Sequence, residues 1–481
     1  MNTLFMLGIF SGCTGGECEG KTCSDTGPVD PLPASCESAS PAPDPLKLDW
    51  RVPEVDPSLD DPMIELLDVE VAPGLNRAYA VGQGGLLVYS LDPPEQIGVY
   101  PSDGQERFDH VEDLGSGLVA VSSRQFGLEI VDTTTTPYSQ VKRSYIEGAH
   151  GMAHLPDRLL VLDVRGALVM LDLADPTGLS EVAILDTLGA PWDIVIDGEW
   201  AYVADNKLGL VPIDLSQPDS PEVGTPTPTT GGAQDVTVSD GHAYVATGAN
   251  GIEVFSLATP GAPAPVGIVD YSTAIVSVSA NDQLLWGVGH EDLVVLDITT
   301  PETPVTLAIE PTPQYGMHVT GIGNRAWVAD WNLIDQFSLD RNQLSPAADP
   351  SPGELFLSSA STREITLRNR GAAPLLVTGA EIDERFELEI DRLTIPAGES
   401  ASVKVTPLVD IDTIESTLCL ATNDPNEPQQ VIQLGSSKPV GTFVSVGEEA
   451  PDFILEDLDG NTLQLSAQLG HPVVLAYFAT W

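Results

Sequence analysis

Basic residues are scarce in this chain. Its 481 residues include 20 Lys and Arg against 71 Asp and Glu, a formal net charge of -51. A surface of that sign repels polyanions, which excludes nucleic acid and anionic lipid headgroups as partners. Its plain consequence is solubility, including in a salty medium that screens self-repulsion. Long apolar runs are also missing: none reaches the roughly 18 residues that a membrane-spanning helix needs. Aromatics make up 6% of the chain and cysteines number five. Glycine (44) and proline (40) are abundant instead, which suits many short strands and turns rather than helical bundles. The length allows about three domains.

One phrase recurs through the middle of the chain: "GGLLVYSLDPP", "FGLEIVDTTTTP", "RGALVMLDLADP", "LGLVPIDLSQP", "NGIEVFSLATP", "EDLVVLDITTP", "WNLIDQFSLDR". The marker glycine before the apolar run falls at Gly85, Gly127, Gly166, Gly209 and Gly251; Asp292 and Leu333 take its place in the last two copies. A second strand signal precedes each marker, clearest as "EWAYVAD", "GHAYVAT" and "NRAWVAD". A Pro-bearing turn and another apolar run follow it. About four short strands in about 40 residues is the size of one β-propeller blade. The fold class expected is therefore mainly β: a seven-bladed β-propeller over residues 46–345, then an Ig-like β-sandwich and an incomplete thioredoxin-like α/β fragment. The phrase "GLEIVDTTTTP" and its relatives resemble the LVIVD-repeat family of bacterial and archaeal surface proteins, which implies a propeller. The seventh unit lacks a fourth strand, and "LKLDWRVPEV" (46–55) is expected to supply it and close the ring.

Counting eight residues back from the start of "AYVA" in each repeat reaches one position, held by Glu70, His110, Asp193, Asp235, Val276 and His318, with Met152 and His150 near it in the shortened third unit. This position opens the first strand of each blade, so these groups are expected to converge at one mouth of the channel. Two readings follow. His with Asp or Glu suits a divalent metal or a polar ligand. Alternatively, the aspartates cap turns or bond the neighbouring blade's backbone; the related repeat pattern often carries Asp there. No Ser–His–Asp order or paired acid and base stands out in the propeller.

Residues 352–437 change style, with alternating strands such as "REITLRNRGAAPLLVTGAEID" and no helix signals. Asn369, Gly371, Pro374, Gly398, Asp424 and Pro425 fall in an order that resembles the ASH/choice-of-anchor type of Ig-like domain, which implies a spacer or docking module. Residues 443–481 follow, "VGEEAPDFILEDLDGNTLQLSAQLGHPVVLAYFATW" after the first three. They read as two strands joined at a tight Asp459-Gly460 turn, a brief helix and a continuous apolar strand. Ala450-Pro451-Asp452-Phe453 and Phe478-Ala479-Thr480-Trp481 resemble the N-terminal part of redoxins. In that family the attacking cysteine follows the last motif at a helix N-terminus, where its thiol pKa is lowered. A UGA selenocysteine codon after Trp481 is one expectation; a frameshift, a sequencing gap or a truncation is the other. The chain as written is expected to have no redox activity. About 40 residues cannot build a core of their own.

The N-terminus, "MNTLFMLGIFSGCTGG", resembles a bacterial lipoprotein signal (1–12), with Phe10-Ser11-Gly12-Cys13 as the lipobox and Cys13 as the lipidated residue. It departs from that pattern in a short apolar run and in lacking Lys or Arg before it; a frayed tail with a chance cysteine is the alternative. Residues 13–45 are Gly/Ser/Pro-rich and read as a tether. Cys18, Cys23 and Cys36 lie in it, an odd number whose pairing is not legible. Cys419 is expected to be a buried, inert thiol. The localisation implied is the bacterial cell envelope, periplasmic or surface-exposed. The expected partners are a membrane reached through the lipid, and a protein or small ligand on a propeller face.

Overall fold

The computed structural model describes residues 36, 41–53, 65–102, 107–341 (except 187, 270, 272 and 282), 343–357, 362–408, 416–436, 454–456 and 462–464. Residues 65–341 supply six four-stranded antiparallel sheets, each built from four consecutive strands, and three strands of a seventh. Each sheet is a chain of hairpins. The commonest link between first and second strands has two residues, as at Asp240-Gly241, both with positive φ (47° and 71°). That geometry matches the right-handed twist of the flanking strands. The marker glycines open the third strand, with φ between 77° and 124°. A Cβ on Gly85 would stand 2.3 Å from the Tyr100 carbonyl oxygen, and one on Gly209 2.2 Å from that of Thr227. The repeat keeps glycine there because the incoming connection passes directly over the backbone.

The first strands are Leu66–Ala72, His110–Gly115, Ala149–Leu155, Pro191–Asp197, Asp235–Ser239, Ile275–Asn281 and Gly316–Ile322. Each packs on the next, and the last packs on the first, so the sheets close into a ring. Buried apolar residues fill the spaces between neighbouring sheets, as where Leu66, Val69 and Tyr89 meet Trp327 and Ile334. The seventh sheet takes its fourth strand from the N-terminal side. Leu46–Pro53 lies antiparallel to Leu333–Leu339, with Leu46 opposite Leu339 and Pro53 opposite Leu333. Arg51 grips the buried Asp335 carboxylate with two bonds of 2.7 and 2.6 Å, and the Trp50 indole donates to Gln336. The strand expected from "LKLDWRVPEV" thus closes the ring.

A second unit follows. Its two sheets hold Ala348–Ser351, Arg363–Asn369, Ser400–Pro407 and Phe386–Ile390 on one side. Glu354–Leu357, Gln429–Ser436, Ser416–Thr422, Leu375–Ile382 and Thr394–Ile395 form the other. They share one core, in which Ile365, Leu367 and Val403 meet Val377, Leu418 and Ile432. The first strand begins at Ala348, so this unit starts before the expected residue 352. Asn369 is fully buried: its amide donates to the carbonyls of Ala373 and Ile395 and accepts from the amides of Gly371 and Ala347.

The expectation for Cys419 is overturned. Leu418 and Leu420 face the core, so the alternation of the strand turns Cys419 to the other side, where it is bonded to Cys36 with a Cα–Cα distance of 5.8 Å. Near the C-terminus, Ile454–Glu456 and Thr462–Gln464 pair antiparallel. Glu456 is opposite Thr462, and the expected Asp459-Gly460 turn between them lies outside the described residues. The rest of residues 437–481, and the signal and lipobox residues around Cys13, lie outside the described residues. No described helix is long and apolar enough to cross a membrane.

Candidate functional site

The strand register aligns the first strands directly. The residues that precede Val69, Val111, Met152, Ile194, Val236, Val278 and Val319 are equivalent: Asp68, His110, Gly151, Asp193, Asp235, Ser277 and His318. Four of the expected residues, His110, Asp193, Asp235 and His318, hold this position. Two of the assigned positions are corrected. Glu70 lies two residues deeper than Asp68, because the first hairpin carries a four-residue link, Pro73–Asn76, where the others carry two. Ser277 replaces Val276, since the residue equivalent to Ala201 and Ala243 is Leu285, one past the start of its strand. In the third sheet the position is Gly151. A Cβ there would stand 2.4 Å from the Trp192 carbonyl oxygen, and the neighbouring His150 supplies the side chain instead.

Several of these groups fasten one sheet to the next. Asp68 accepts from the Val111 amide at 2.8 Å, Asp193 from Val236 at 3.1 Å and Ser277 from Val319 at 3.2 Å. A second tier repeats the device two residues deeper, where Thr237 accepts from Ala280 and Ser279 from Gly321. The aspartate that ends "AYVAD" has a related role: Asp205 accepts four backbone amides, those of Gly189, Ala190, Lys207 and Leu208.

The mouth also contains groups beyond this fastening. Asp68, 2% exposed, lies between two imidazoles: His110 Nδ1 and His318 Nδ1 each approach one of its oxygens at 2.7 Å. Burial favours the uncharged forms of all three. The two imidazoliums overcome it and hold Asp68 well below the usual carboxylate range. Asp68 in turn overcomes burial at the imidazoles, pushing His110 up to about 10 and His318 to about 9. Asp235 is pushed up by burial and by its neighbour Asp193, to about 7. Glu70, below them, is pushed up to about 8 by burial and then by Glu112 and Asp68. His150 moves the other way, to about 4, through burial and the charge of His110. Its Nδ1 donates to the Trp192 carbonyl at 2.8 Å, so at neutral pH its Nε2 is a free acceptor. Trp192 meets His150 edge-on, and the Arg124 guanidinium lies 5.6 Å from the centre of its ring.

All of these side chains except Glu70 and Glu112 line a cavity of about 390 Å³ at the start of the inner strands. It offers cationic donors, a neutral imidazole acceptor, the raised carboxyl of Asp235 and an indole. Among the described residues no set of three or more His, Cys, Asp or Glu has the geometry of a metal site. Asp68, Trp192 and Arg124 were missed by the sequence count. Alignment by strand rather than by fixed offset would have found Asp68.

The LVIVD repeat family matches residues 188–224 and 230–270. Among solved structures, the crystal structure of RRP9 WD40 repeats is similar at 12% identity and a TM-score of 0.51, over 63% of this chain and all of that one. No curated protein matches the chain. The fold of the repeat region is a β-propeller. It carries LVIVD repeats, and its four-stranded sheets are arranged as in WD40 proteins.

Proposed function

We propose that the chain is a binding protein of the bacterial cell envelope: a seven-bladed propeller held near the membrane through lipidated Cys13, with an Ig-like sandwich as spacer. The observation that carries the binding reading is the mouth cavity. It gathers His110, His150, His318, Trp192 and Asp235 from five different sheets around one space. Fastening the ring does not require an indole or a neutral imidazole there. A small polar solute with both hydrogen-bond donors and acceptors fits that lining.

The test is a thermal-shift screen of small polar solutes against the purified chain and its Trp192→Ala and His150→Ala variants. A solute that raises the melting temperature of the parent and fails with both variants supports the reading. Solutes that protect all three proteins equally, or none that protects the parent, overturn it. Anchoring is tested separately, since Cys13→Ser is expected to move the protein from the membrane fraction to the soluble one.

A second reading adds a redox role, in which the propeller carries the start of a thioredoxin-like domain. The paired strands Ile454–Glu456 and Thr462–Gln464 and the redoxin-like motifs around them support it. Thiol–disulfide exchange by the protein isolated from its native source is the expected result. Without such activity the module is an interaction protein alone.

A further inference from the structure

We propose that the Cys36–Cys419 bridge is a mechanical bypass: it carries tension from the N-terminal tether into the sandwich and spares the strand that closes the propeller. The need for it follows from the register of the seventh sheet. Leu46, the first residue of the closing strand, lies opposite Leu339, the last residue of its partner. The chain runs on from Leu339 into the sandwich. A pull between the tether and anything beyond Leu339 therefore opens the pair at that shared end. Ladder hydrogen bonds lie perpendicular to the strands, so such a pull loads them one at a time. Among the described residues the closing strand is the outermost of its sheet, with a hydrogen-bonded strand on one side alone. Once it leaves, Leu333–Leu339 becomes an unpaired edge.

The bridge removes that load. Cys36 lies ten residues before Leu46 and is bonded to Cys419 in the strand Ser416–Thr422. The Gln429 side chain donates to the Cys36 carbonyl, and the Ala42 amide donates to the Asn423 carbonyl, so both residues bond the sandwich. Tension applied before Cys36 passes at once to Cys419. From the sandwich it enters the ring through Leu333–Leu339, which has hydrogen-bonded neighbours on both sides. Residues 37–53 stay slack while the bridge holds. The inference rests on the envelope reading only for the source of the load and for an oxidising compartment. The device itself is a property of the folded chain.

The experiment pulls the purified oxidised chain between its N- and C-termini in a single-molecule force instrument, and repeats this on the Cys36→Ser/Cys419→Ser variant. Hydrogen exchange of both proteins is measured without load. The oxidised chain is expected to hide the 383-residue span, so extensions stay shorter by on the order of 1,300 Å at ~3.5 Å per residue. The variant is expected to release the closing strand as its first and weakest event. Without load, amides of residues 46–53 and 252–256 are expected to keep their protection in both proteins, which shows that the variant closes its ring until it is pulled. Two results overturn the proposal: non-reduced peptide mapping that finds no link between Cys36 and Cys419, or a first event in the variant that lies elsewhere. Because it uses purified protein, this outcome is independent of whether Cys13→Ser alters membrane association.

Discussion

Replacing Asp68 by Asn removes the buried carboxylate that serves two partly buried imidazoles. In the parent, Asp68 is nearly sealed from solvent, touches His110 and His318 at 2.7 Å each and accepts the Val111 amide. Breaking a buried ion pair from one side typically costs about 3–5 kcal/mol, because the remaining charge is left uncompensated. Asn keeps the shape and an acceptor for Val111, so the loss is electrostatic. The pH dependence separates this from simple misfit. His110 and His318 have folded pKa values, about 10 and about 9, above the ordinary histidine value near 6.5. Their stabilisation is fully present below about pH 6.5 and is lost as pH rises through 9 and 10. Asp68 is depressed, so its contribution is present above its ordinary value near 4 and is lost as pH falls. The gap between parent and variant should therefore be widest from about pH 4 to 6.5 and close by about pH 10. Urea unfolding at pH 6, 8 and 10, followed by tryptophan fluorescence, measures it. A gap under about 1 kcal/mol at pH 6, or an equal gap at pH 6 and 10, refutes the account, since a pair of this kind must titrate away.

Other substitutions test other parts of the construction. Arg51→Ala strands the buried Asp335 carboxylate in the closing strand's interface and should cost about 2 kcal/mol by chemical denaturation, less than a sealed pair because Arg51 is itself about a third exposed. Asn369→Ala leaves two carbonyls and two amides of the sandwich unserved and should cost about 3 kcal/mol, read as a fall in that unit's melting temperature. Gly151→Ala drives a Cβ into the Trp192 carbonyl and should cost about 1–3 kcal/mol while shifting tryptophan emission. Asp205→Asn replaces one of two acceptor oxygens with a donor and should expose the 189–190 loop to protease.

The ring was legible because its signals are local and repeated. The marker glycine answers a backbone approach that recurs in the first four sheets, and the apolar run after it faces neighbouring sheets. The need for a borrowed strand could be read from the missing fourth run of the seventh unit. The sandwich was legible by alternation, and its Asn369 proves to be a fully satisfied buried amide. The pairing of Cys36 could not be read. Its partner lies 383 residues away on the outer face of a strand. The alternation Leu418-Cys419-Leu420 places that thiol outside the core, but no local pattern says which cysteine meets it.

The mouth was half legible for a related reason. A fixed offset works only where every hairpin has one length, and Pro73–Asn76 breaks that rule in the first sheet. The miscount exchanged Asp68 for Glu70 and so hid the centre of the cluster. It also hid the division of labour among the seven equivalent residues. Asp193 and Ser277 use their oxygens on the next sheet's amide. Histidine donors at the same position lack that option when charged, and both His110 and His318 belong to the two sheets that flank Asp68. Asp68 therefore does two things with one side chain, fastening Val111 and balancing two imidazoliums. The histidines take no amide of the next sheet, and the second ring nitrogen of His318 lies 3.7 Å from an Asp235 oxygen across the mouth.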